Sequence, residues 1–161
     1  MNSSMTPIKY NNNNFVLSYQ LQYMLDIRKV VEDGKDWKGQ QRLWKDYPCV
    51  ASVCSRNFRI GKGYSKNCAK VLKAKRPKQL NQQVANRITN YISSITVKNG
   101  KDEYGRKIYN GSCAEDMAAS DLMNQEGGKL NVPTHADFAQ PQRVRTGEYI
   151  DMCIVCQNVF I

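Results

Sequence analysis

Three cysteines and one glutamate constrain the fold of this chain most: Cys113-Ala114-Glu115 and, forty positions after the first thiol, Cys153-Ile154-Val155-Cys156. Thiols at i and i+3 share one face of a helical turn, which suits a single ion better than two bridges to distant partners. The third thiol joins them only if the segment opening at Cys113 packs beside the segment opening at Cys153. The fold therefore has to bring two helix starts together. Three sulfurs fill three corners of a tetrahedral Zn²⁺ site and leave the fourth for water, as in catalytic zinc, whereas structural zinc is closed by four protein ligands. Positive helix termini favour the thiolates that zinc binds. Glu115 is then placed to move the protons of that water.

Two other uses of these thiols stay open. With His135, the one histidine, as a fourth ligand they would form a structural knot and leave Glu115 a surface carboxylate. Six cysteines, an even number, also permit disulfides, against which the spacing of Cys153 and Cys156 argues. Cys49, Cys54 and Cys68 lie among apolar, strand-like residues and read as small core side chains.

At 161 residues the chain is sized for one domain. No apolar run approaches the roughly twenty residues of a membrane span. Residues 1–14 are polar and rich in Asn, without the apolar middle of a secretion signal, and are expected to be disordered. Residues 15–47 are expected to form a helical extension and 48–161 the core of the domain. The net charge of +10 is concentrated: residues 47–101 hold twelve Lys or Arg and no acid, whereas residues 102–161 hold nine acids and five bases. Such a stretch is an electrostatic footprint for phosphates or, in the plainer reading, a solvated surface.

Periodicity places the elements. Residues 15–33 carry apolar side chains at 17, 21, 24, 27 and 31, near helical period, before Gly34. Residues 49–55 and 57–65 read as two strands with a tight turn near Arg56; Phe58, Ile60, Lys62 and Tyr64 then share one face. Gly61 and Gly63 mark a place where another backbone comes close. Residues 66–78 are the densest basic run, and after Pro77 a helix shows Leu80, Val84, Ile88 and Ile92 in one stripe. Asn99-Gly100 marks a turn and residues 101–106 a polar loop. Ser112 is a helix cap for residues 113–125, with Ala114, Met117, Ala118, Leu122 and Met123 on the buried side. Arg143-Val144-Arg145 fits a strand with its valine inward, and a last helix starts near Cys153 and runs to the end.

A Cys or His followed by Glu, and then a C-x-x-C pair, is the plan of zinc-dependent nucleobase deaminases. Cys113, Cys153 and Cys156 are accordingly the expected zinc ligands and Glu115 the catalytic residue. Conversion of cytosine to uracil in nucleic acid is the expected reaction, with DNA, single-stranded or flipped, preferred over RNA. The candidate phosphate contacts are Lys62, Lys66, Lys70, Arg143 and Arg145, and the candidate stacking rings are Tyr64, Tyr109 and Tyr149. Ser112 and Ala114, flanking Cys113, complete the substrate contacts. A free cytidine, nucleotide or adenine deaminase is the alternative enzyme, and a zinc-stabilised nucleic-acid-binding module the alternative without catalysis.

The strand pair ending Gly-Lys-Gly-Tyr-Ser, the run YNGSCAEDMAASDLMNQEGG, RVRTG and MCIVCQNVF together resemble the YwqJ-like branch of the cytidine-deaminase-like superfamily, which comprises toxin domains of bacterial polymorphic toxin systems. The resemblance spans about residues 50–160. It implies an α/β fold, a three-layer α/β/α sandwich around a mixed sheet. It also implies zinc on the three cysteines, Glu115 as proton shuttle and an immunity protein as partner. The domain is expected to be a monomer, delivered into a target-cell cytoplasm without membrane association. Met152 stands where the family carries a proline, so the loop entering the last helix is expected to be less rigid. Only five residues follow Cys156, which points to a sheet shortened on that side or a domain cut short.

Overall fold

Strands β1 (Val50–Arg56) and β2 (Arg59–Tyr64) pair as an antiparallel hairpin in the computed structural model, which describes residues 10, 12–32, 49–66, 68, 80–125 and 138–160. The turn is Asn57-Phe58, with φ of 51° and 61°. Two left-handed residues in a row match the twist of the flanking strands. The expected turn at Arg56 thus moves toward the C-terminus, and Phe58 leaves the strand face for the turn tip, where it is 94% exposed.

The two faces of β2 do different things. Ile60, Lys62 and Tyr64 share a face, as their alternation predicts, and that face meets helix α1 (Asn14–Glu32): Ile60 packs with Val16, and Lys62 lies over the Tyr23 ring. On the opposite face Gly61 and Gly63 are buried beneath a later helix. A methyl group at Gly61 would stand 2.7 Å from Leu122 Cβ, and one at Gly63 the same distance from Met117 Cβ. The glycines therefore let helix and strand backbones touch.

On α1 the buried face is Val16, Gln20, Met24 and Ile27, while Leu21 is exposed. This corrects the expected stripe through positions 17 and 21. Gln20 escapes a hydropathy pattern because its amide replaces missing sheet partners. Its oxygen accepts from Val53 N–H at 3.1 Å, and its nitrogen donates to Gln140 O at 2.6 Å and Gln142 Oε1 at 2.8 Å. A buried amide fully bonded in this way costs little, whereas one left unpaired costs about 1–3 kcal/mol.

The remaining elements are α2 (Gln82–Ser93), α3 (Ala114–Gln125), β3 (Gln142–Arg143) and α4 (Ile154–Val159). Asn81 caps α2 by accepting from Gln83 N–H at 3.0 Å. Val84 and Ile88 are buried, with Leu80 and Ile92 partly so, as their i+4 spacing predicts. They meet Leu122 and Met123 of α3, Val155 and Val159 of α4, and the Phe138–Phe160 ring pair, whose centroids lie 4.9 Å apart. Each such side chain contributes roughly 1.5–3 kcal/mol when fully buried. Cys49, Cys54 and Cys68 are buried, as expected.

The protein is thus an α/β fold. Among the described residues it has four helices and a three-stranded sheet in the order β2-β1-β3, every pairing antiparallel. The mixed sheet implied by the resemblance would need a parallel strand outside these three. The two-residue turn between β1 and β2 reverses the chain and is too short for the crossover a parallel pair needs. Val144 points to the core between Arg143 and Arg145, as predicted. No helix among the described residues is long and apolar enough to cross a membrane. Tyr10, Asn12 and Asn13 depart from the disorder expected of residues 1–14: Tyr10 packs on the main core, Asn12 accepts from Gln140 N–H at 2.9 Å and Asn13 from Val16 N–H at 3.0 Å. The rest of that segment, residues 33–48, most of the basic run at 66–78 and the loop carrying His135 lie outside the described residues.

Candidate metal centre

The first turn of α3 lies on Gly63, and the chain leaving β2 fixes what precedes it: Lys66 N–H donates to Ser112 O at 3.1 Å. The helix begins at Ala114, one residue later than expected, so Cys113 sits just ahead of its first turn. Cys153 occupies the equivalent place on α4, where its sulfur caps the helix by accepting from Cys156 N–H at 3.5 Å. Packing of α2 and α4 into the core that buries α3 sets the two starts side by side.

Cys113 Sγ and Cys153 Sγ are 3.1 Å apart, and the sulfurs of Cys113, Cys153 and Cys156 all lie within 4.8 Å of one another. Zinc–sulfur bonds of about 2.3 Å at tetrahedral angles put sulfurs about 3.8 Å apart. Shifts well under an ångström at the side-chain tips therefore suffice for these three residues to hold one zinc ion. No fourth Cys or His among the described residues belongs to the group, and His135 lies outside them.

The thiols share their protons unequally. Hydrogen bonds from Cys113 and Cys156, joined by the backbone N–H groups of Cys156 and Val155, push the Cys153 thiol down to about 4. Cys113 is held well above the ordinary thiol range, first by its hydrogen bond to Cys153, and Cys156 by burial and then by its bonds to the other two thiols. Of the three sulfurs, Cys153, at a helix start, is the one whose surroundings most favour the thiolate.

Glu115 is buried in the first turn of α3. Burial first, then the charges of Cys153 and Asp116, push its carboxyl up to about 8. A carboxyl poised near neutrality suits both uptake and release of protons. Asp116, also buried, accepts from Cys156 Sγ at 3.4 Å. It was missed in the sequence, although the acidic pair Glu115-Asp116 in a first helical turn was a signal. Tyr10 was missed for want of any signal. Its hydroxyl accepts from Met152 N–H at 3.0 Å, donates to Asp151 Oδ1 at 3.4 Å, and lies within electrostatic reach of Glu115.

The expected substrate contacts divide. Ser112, Ala114 and Lys66 are brought to the start of α3, with the Lys66 side chain exposed. Lys62 and Tyr64 are not: both lie on the α1 face of the sheet, Tyr64 packed among Met24, Ile27 and Val144. Arg143 pairs with Glu148 at 3.3 Å, and Arg145 is exposed on the following turn. Lys70 lies outside the described residues. Tyr109 and Tyr149 are exposed.

Comparison of the chain with protein-family models, with characterised proteins and with solved structures gave no match. The functional reading therefore rests on the site.

Proposed function

We propose that this protein is a zinc-dependent deaminase that converts cytosine to uracil in nucleic acid, single-stranded DNA foremost. The observation that carries the reading is the meeting of Cys113, Cys153 and Cys156 with a buried Glu115 beside them. The two helix starts, the sulfur-only ligand set and the order Cys-x-Glu then C-x-x-C also support it. On this reading the fold is a cytidine-deaminase-like α/β/α sandwich of the YwqJ-like kind, a toxin domain with an immunity partner that acts in a target-cell cytoplasm.

Cys113, Cys153 and Cys156 would hold the ion, which supplies Lewis-acid activation of a water molecule. Glu115 would take a proton from the attacking water as its oxygen adds to C4 of cytosine and pass it to ring N3. It would then take the second proton from the hydroxyl now on C4 and pass it to the amino group, so that the C4–N bond breaks and ammonia leaves. Cytosine plus water thereby becomes uracil plus ammonia. Three thiolates make the metal core one charge more negative than a His-Cys-Cys set, which raises the demand on Glu115 as proton acceptor. The positive starts of α3 and α4 would offset part of that charge.

The test is incubation of the zinc-loaded protein with single-stranded DNA, duplex DNA, RNA and free cytidine, with sequencing or chromatography as readout. C-to-T changes that vanish in Glu115→Gln, while its zinc content stays at one per chain, support the proposal. Base conversion by Glu115→Gln at the wild-type rate, or none on any substrate, refutes it.

A further inference from the structure

Residues 98–109, between α2 and the metal centre, bury almost nothing of their own except Asp102. Exposed connections are ordinarily loose, but this one is closed by its own hydrogen bonds. The Asn99-Gly100 turn returns Lys98 to Lys101 through bonds of 2.8 and 3.1 Å, and Ile108 N–H reaches back to Gly100 O at 2.9 Å. Asp102 accepts from Tyr104 N–H at 3.0 Å, from Arg106 N–H at 2.8 Å and from the Arg106 guanidinium at 2.8 Å. On this base two rings face solvent, Tyr104 at 53% and Tyr109 at 36% exposure. A cation sits against each: the Arg106 guanidinium is 4.9 Å from the Tyr104 centroid, and Lys107 Nζ is 5.0 Å from that of Tyr109. The Lys98 and Lys101 side chains are exposed on the same turn.

We propose that this loop grips single-stranded nucleic acid, its two tyrosines stacking on unpaired bases and its lysines meeting the phosphates. Stacking platforms interleaved with cations are how proteins hold single strands, because every base has a π-face and each phosphate a charge. Asp102 and Glu103 leave the loop an excess of two positive charges, and Asp102 is already occupied by Arg106. Charge alone would serve an acidic protein as well; two rings held out on a rigid base are what favour a strand. The loop is also close to the chemistry. Three residues separate Tyr109 from Cys113, a reach of at most about 14 Å. The Tyr91 phenol on α2 lies within electrostatic reach of Arg106, Asp102 and Cys153 alike. The inference rests on the proposed function for the identity of the ligand, and it assigns the grip to a surface outside the basic run at 66–78.

The test is fluorescence anisotropy of a labelled short single-stranded DNA with the zinc-loaded full chain at several salt concentrations. Tyr104→Ala/Tyr109→Ala is expected to weaken binding at least about tenfold, with zinc content and thermal unfolding unchanged, and Tyr104→Phe/Tyr109→Phe to keep affinity near wild type. Lys98→Gln/Lys101→Gln is expected to lower the slope of log affinity against log salt by about 1.4. Affinity of the alanine pair within twofold of wild type overturns the inference and leaves the loop to an acidic protein partner. Ring-dependent binding without cytosine conversion sinks the deaminase reading and keeps this one. Conversion with ring-independent binding does the reverse.

Discussion

The Tyr10 hydroxyl accepts the backbone N–H of Met152 at 3.0 Å, across 142 positions of chain. Met152 precedes the C-x-x-C, where the resembled family carries a proline. Proline fixes such an entry through its ring and offers no N–H. Here the N–H is present, and a phenol from the far end of the chain holds it. The expected looseness of this loop is thus offset by a tertiary contact.

Tyr10→Phe keeps the ring but leaves that N–H without its acceptor. We expect a loss of about 1–3 kcal/mol in urea unfolding, together with weaker zinc binding in a chelator competition. Wild-type values in both measurements would show that Tyr10 does not position Cys153.

The glycine face of β2 gives a second prediction. Gly63→Ala puts a methyl group into the first turns of α3 and has to lift the helix that carries Glu115. Overpacking of this kind costs about 1–3 kcal/mol, and zinc affinity should fall with stability. Phe58→Gly acts in the opposite direction, relieving a bulky residue at φ 61°, and should stabilise by about 1 kcal/mol. Denaturation midpoints of the two variants decide both statements, and a stable, zinc-competent Gly63→Ala would contradict the first.

Legibility followed the range of the interactions involved. The stripe through Val84 and Ile88, the inward Val144 and the close approach at Gly61 and Gly63 were readable because each is a local pattern. So was the meeting of the three thiols, since a C-x-x-C and a distant Cys with Glu nearby have few other joint uses. The hairpin turn was misplaced because Phe58 stands where glycine would have marked it. The α1 face was shifted because Gln20 is polar in composition and buried in fact. Lys62 and Tyr64 looked like substrate contacts from charge and ring alone, and only the sheet shows that their face turns to α1.

Glu115 gives a pH prediction for the zinc-depleted protein. Its folded carboxyl is raised to about 8 from the ordinary 4.5. A raised group contributes stability that is complete below the unfolded value and is lost as pH climbs through the folded one. Cys153, lowered to about 4 from 9.0, works in the opposite sense: its contribution is present at high pH and lost as pH falls through about 4. The difference between wild type and Glu115→Gln isolates the carboxyl. Between about pH 5 and about pH 8 the wild type should lose more stability than the variant, by a few kcal/mol. Parallel pH profiles in chelator would show that Glu115 is not buried against the thiolate.

The central claim is an open three-sulfur zinc site, and X-ray absorption at the zinc edge of the purified protein tests it most directly. The account predicts one zinc per chain with three sulfurs at about 2.3 Å and one lighter atom at about 2.0 Å, and loss of that signature in Cys113→Ser. Four sulfurs around the ion, or a protein that takes up no zinc, would contradict it.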